Sequence, residues 1–161
     1  MKSYSSNLKM LLIIWVAGIL SFQSLSSQPL RKHQARAYLN RTVLIIREAR
    51  EQLNSGKNYT GDFAKAVAHQ KLARNLFLSG DFQKAVFHSH RARRLAFATI
   101  RNNKGTVKKD FESTKEEESL QTNPPKDEEL DRALKISDPN NNFDDRIAAQ
   151  AQVKEIDEKE K

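Results

Sequence analysis

An all-α fold is predicted for this sequence of 161 residues: a small three-helix bundle containing a repeat-like helical hairpin, followed by a largely disordered acidic tail with short helices. Apolar residues recur at three- and four-residue steps through two long windows, the period that places them on one face of a helix. Ser79-Gly80-Asp81 divides the second window, offering a glycine that can end one helix and a carboxylate that can cap the next. Beyond residue 102 the period fades and blocks of charge replace it, the texture of chain with too little apolar surface to fold alone.

Residues 1–27 read as a signal peptide. Lys2 and Lys9 precede the 11-residue apolar run Met10 to Leu20, and the small polar stretch SFQSLSSQ follows. The run falls short of the roughly 20 apolar residues a membrane-spanning helix needs. Cleavage near Ser26 or Ser27 is expected, leaving no transmembrane span in the mature chain; an uncleaved amino-terminal anchor is the alternative. The expected location is therefore periplasmic or secreted, in a bacterium. With no cysteine in the chain, neither a disulfide nor a cysteine-borne lipid can hold it, so helix packing, a partner or self-association must.

A basic helical domain is expected over 30–102. Its first helix runs from Leu30 to Asn54, where Ala35, Tyr38, Leu39, Thr42, Val43, Ile45, Ile46, Ala49 and Leu53 form one stripe. The loop SGKNYTG leads to the hairpin, Phe63 to Ile100. One helix carries Phe63, Ala66, Val67, Gln70, Ala73, Leu76 and Phe77 on its inner face; the other carries Phe82, Ala85, Val86, Ser89, Ala92, Leu95 and Ala96. Residues 103–124 read as a flexible linker and 125–161 as an acidic tail. Two short helices are predicted in that tail: Pro125 to Ile136, with Leu130, Ala133 and Leu134 on one side, and Phe143 to Glu158, with Ile147 and Ala151. Neither is long enough to be stable alone. The stretch Asp138 to Asp145 lacks the glycine and distal Glu of a calcium loop and reads as a turn and helix cap.

The hairpin resembles one tetratricopeptide repeat, a helix-turn-helix unit that stacks into peptide-binding solenoids. With Gly80 at the family's turn glycine, Leu72 and Ala73 stand at its Leu-Gly pair and Leu76 at its mid-helix Tyr. Phe82 stands at its turn aromatic, and Ala85 and Ala92 at its close-contact small residues. His69 replaces the family's Trp, Ser89 its large second-helix aromatic, and Phe97 its closing Pro. The resemblance covers one unit of about 34 residues, where such repeats normally stack in at least three. It implies a repeat-like hairpin able to bind a protein, not an array; an ordinary helical bundle is the alternative.

Charge divides the chain. Arg31 to Lys109 holds 18 Lys and Arg against 4 acids, +14, and Asp110 to Lys161 holds 16 acids against 8 bases, −8. Acids of a tethered tail are concentrated near the basic domain, so the tail is expected to dock on it or to compete with what it binds. The densest basic cluster is Arg91, Arg93, Arg94 and Arg101, the candidates for binding an anion. No single helix face holds Arg93, Arg94 and Arg101 together.

No catalytic residue, cofactor or metal site is expected. Cysteine is missing, and neither a glycine-rich phosphate loop nor a serine elbow occurs. Folding the hairpin at Gly80 brings His69 near His88 and His90, but these two diverge by about 200° on a helix. No acid occurs between Asp81 and Asp110 to complete a metal site. The expected function is an exported non-enzymatic interaction or scaffold protein whose hairpin binds a protein partner or a second copy. The alternative is a polyanion or membrane-surface binder, acting at an anionic envelope surface through the basic domain and modulated by the tail. Nucleic acid is disfavoured as a partner, for want of a recognised motif.

Overall fold

The computed structural model describes residues 32–137 and 143–160, so the expected signal peptide lies outside the described residues. Every regular element among them is helical: α1 (Lys32–Gly56), α2 (Asp62–Leu78), α3 (Phe82–Asn102), a 3-10 turn (Lys109–Phe111), α4 (Lys115–Ser119), α5 (Asp127–Ser137) and α6 (Asp145–Ala148). None is long and apolar enough to cross a membrane.

α1, α2 and α3 form the bundle. The nine residues that periodicity selects on α1, from Ala35 to Leu53, are the nine it buries. Two apolar clusters fill the interior. Ile45, Ile46 and Leu53 meet Phe63, Val67, Leu95 and Ile100 at one end; Leu39 meets Ala73, Phe77 and Val86 at the other. Burying Phe63 or Phe77 contributes about 1.5–3 kcal/mol each. Ala66, Ala73, Ala85, Ala92 and Ala96 are fully buried and let the helix axes come close.

The hairpin turns where the sequence places it. Gly80 has φ of +89°; its N–H donates to Phe77 O (3.0 Å) and that of Asp81 to Leu76 O (2.9 Å), the paired bonds of a glycine-ended helix. The Asp81 carboxylate then accepts from Lys84 N at 3.3 Å and caps α3. At the other end Asn103 fastens the α1–α2 loop. Its Oδ1 accepts from Asn58 N (2.8 Å) and its Nδ2 donates to Thr99 O (2.9 Å). A Cβ on Gly56 would stand 2.4 Å from that Oδ1, which is why the helix ends on glycine.

The tail carries only short helices, as expected, but it lies along the bundle. Residues 103–124 hold little regular structure and meet the bundle through Arg41, which donates to Glu112 O (2.7 Å) and to the Glu117 carboxylate (2.6 Å). α5 forms as predicted and buries Leu130 and Leu134 against α2 and α3. The longer helix expected over Phe143–Glu158 does not form. Only Asp145–Ala148 is helical, Ile147 is 54% exposed, and residues 152–156 run without helix to deliver Ile156 into the core beside Leu39 and Phe77. A helix there would have turned Ile156 away from that seam.

α6 completes α2. Gly61, at the helix start, has no side chain to cap it, and the neighbouring Thr60 Oγ1 accepts from Asp62 N only at 3.4 Å; Asp145, 2% exposed, accepts from Gly61 N (2.8 Å) and Ala64 N (2.9 Å). A carboxylate 81 residues away in sequence thus satisfies amides that every helix start leaves open.

Candidate functional site

The four arginines singled out by sequence separate into three settings, because successive residues on a helix diverge by about 100°. Arg91 and Arg94, three apart, share the hairpin face that α5 covers. Arg93 points the other way and is 1% exposed. Arg101 is exposed on the last turn of α3 and makes no ion pair among the described residues.

On the outer face, Asp127 and Asp131 stand one turn apart on α5. Arg91 grips Asp131 with two parallel bonds, Nε to Oδ1 and Nη2 to Oδ2, both 2.9 Å, and reaches Asp127 with Nη1 at 3.0 Å. Arg94 adds Nη1 to Asp127 Oδ1 at 2.9 Å. This forked geometry is the strong form of a guanidinium–carboxylate contact. Beneath it His69, fully buried, donates from Nε2 to Asp131 Oδ1 (3.0 Å), and its Nδ1 lies 3.0 Å from His88 Nδ1.

An ionised Asp131 only accepts, so it fixes the proton of a neutral His69 on Nε2 and leaves Nδ1 to accept from His88. Burial pushes both imidazoles down to about 4, more than the nearby Asp131 charge can offset. Burial alone would raise the Asp131 carboxyl, but the bonds from Arg91 and His69 hold it below the ordinary range. The buried histidine pair and the Arg91 fork together hold the Asp131 carboxylate.

Arg93 forms a second seat, between α1 and α4. Its guanidinium donates to both Glu117 oxygens (2.7 and 3.1 Å) and to Thr42 Oγ1, and lies 4.2 Å over the Tyr38 ring. Burial would raise the Glu117 carboxyl; Arg93, and beyond it Arg41, bring it below its usual value. The same enclosure pushes the Tyr38 hydroxyl up to about 12, burial outweighing the Arg93 charge.

The histidine geometry resolves as one pair: His88 meets His69, while His90 Nδ1 faces Tyr38 Oη at 3.0 Å. The carboxylate that the hairpin lacks comes from the tail as Asp131, a position sequence reasoning did not reach. Ser89, between two histidines in sequence, donates to Thr42 Oγ1 at 3.0 Å instead, so no serine–histidine pair forms. Among the described residues no three His, Asp or Glu side chains gather as metal ligands.

The repeat-like residues build the hairpin. Ala73, Ala85 and Ala92 are buried, Leu72 and Leu76 half-buried, and Phe82 packs on Phe77 with ring centroids 5.2 Å apart. No protein-family model, curated protein or solved structure matches the chain.

Proposed function

We propose that this is an exported, non-enzymatic interaction protein whose hairpin binds an acidic amphipathic helix of a protein partner, on the face that its own α5 now occupies. The observation that carries the reading is the fork of Arg91 on Asp131, with Asp127 and the buried Leu130 and Leu134 on the same helix. Carboxylates at i and i+4 beside leucines at i+3 and i+7 are what an amphipathic helix offers a groove. The charge pairs set orientation and encounter rate, and the leucines supply burial.

The test uses the full chain with Asp127→Lys and Asp131→Lys, which repel Arg91 and Arg94 and free the face. A fluorescent peptide of residues 125–137 is expected to bind this chain, and not one that also carries Arg91→Glu. A folded variant that leaves the peptide free in solution refutes the reading.

A second reading, contact with a polyanion or an anionic membrane surface, draws on Arg101, Lys104 and Lys109, all exposed and without an ion pair among the described residues. Anionic liposomes separate the two: this reading requires binding that falls steeply as salt rises and survives Arg91→Glu.

A further inference from the structure

We propose that the groove between α1 and α2 is a second binding site, for an extended acidic peptide of another protein that carries one aliphatic residue among its carboxylates. Residues 151–160 hold its place. This inference is independent of the hairpin face, which lies between α2, α3 and α5.

Asn40 reads the backbone of Ile156 in both directions, Nδ2 donating to its O at 3.0 Å and Oδ1 accepting from its N at 2.8 Å. A residue whose N–H and C=O lack backbone partners can offer both to one side chain, and such a clasp is indifferent to the residue's identity. Specificity comes from beside it. Ile156, 3% exposed, joins the apolar cluster of Leu39, Ala73 and Phe77. Glu155 lies on Arg47 at 2.8 Å, Glu158 on Arg36 at 3.0 Å, and Glu160 on Arg74. The outer two pairs, at Glu155 and Glu158, fix register and direction more than affinity, while Glu160–Arg74 is part-buried.

The internal segment fills this seat imperfectly. Arg50 Nε, Arg74 Nε, Glu160 Oε2 and Gln70 Oε1 are buried without a hydrogen-bond partner. Such unmatched atoms are costly, and these four border the same groove. Beside them a cavity of about 530 Å³ remains, lined by Arg47, Arg50 and Arg74 and, from the tail, by residues 152–155, Asp157 and Glu160. The site thus has space and unused polar atoms for a longer peptide. A tethered occupant acts at about millimolar effective concentration, so an incoming peptide must outcompete it or arrive when it is released.

The experiment measures anisotropy of a labelled peptide, residues 151–160, with the full chain carrying Ile156→Asp, which expels its own segment. Where circular dichroism finds that variant unfolded, Glu155→Lys with Glu158→Lys is the releasing pair. The released chain is expected to bind the peptide at least tenfold more tightly than the unaltered chain does. Adding Asn40→Ala, which removes two hydrogen bonds, should weaken binding about tenfold or more, and a peptide with Asp in place of the isoleucine should not bind. A folded, released chain that ignores the peptide overturns the proposal. So does binding that survives both Asn40→Ala and the altered peptide, because charge alone would then explain it.

Discussion

Replacing Glu117 by Ala strands a buried guanidinium. Arg93 loses the bonds of 2.7 and 3.1 Å to the carboxylate and keeps only Thr42 Oγ1 at 3.2 Å, Tyr38 O at 3.4 Å and the Tyr38 ring. Removing one partner of a buried pair costs about 3–5 kcal/mol when the other charge stays enclosed. Here Glu117 is 11% exposed at its side chain and sits on a five-residue helix. That helix can lift and admit water to Arg93, which limits the loss to about 2–3 kcal/mol. Urea unfolding should register this loss, and hydrogen exchange should rise over residues 109–121 before it rises in α2. Adding Arg93→Met to Glu117→Ala should recover more than half of it, because no charge then remains to be solvated. Stability within about 0.5 kcal/mol of the unaltered protein, with unchanged exchange in that segment, would show that the pair does not hold the tail down.

Acid should loosen the protein in two stages. Burial pushes His69, His88 and His90 from 6.5 to about 4. Between those values the unfolded chain binds more protons, so the stability they contribute is complete above pH 6.5 and is lost as pH falls towards 4. Since His69 and His88 are coupled, a slope of at least one histidine is expected, about 1.4 kcal/mol per pH unit, readable from urea midpoints at pH 7, 6 and 5. Below about pH 4, protonation of Glu117 and Asp131, both held low, removes their share as well. Asp145→Ala should cost about 1–2 kcal/mol by uncapping α2, with faster exchange at Ala64. Gly80→Ala meets open space but keeps φ of +89°, so it should cost about 1–2 kcal/mol, measured by thermal melting. Gly56→Ala must displace the Asn103 side chain and is expected to cost about 1–3 kcal/mol, with the greatest loss of protection at Asn58.

What the sequence discloses is what lies close together in it. The α1 stripe and the turn at Gly80 follow from periodicity and local backbone chemistry, and the structure keeps both residue for residue. The faces of α2 and α3 that meet the tail do not follow from it. His69 and Arg93 lie outside the apolar stripes, yet both are buried, and their partners stand at Asp131 and Glu117. Such pairings span 24 to 128 residues, and no local period marks them. Their one trace in the sequence is the division into basic and acidic halves, which suggests that the tail docks but not which carboxylate meets which arginine. The helix expected over Phe143–Glu158 fails for a related reason: burial of Ile156 beside Leu39 outweighs a thin helical stripe.

The cap on α2 comes from Asp145, so the second helix is finished by a residue 81 positions beyond Ala64. A ribosome that has released all of α1, α2 and α3 has not yet supplied the acceptor for Gly61 and Ala64, nor the aliphatic plug that Asn40 holds. Closure of the bundle therefore waits until residues 145 and 156 have been made, and a message truncated before codon 145 encodes three helices that lack their closing parts.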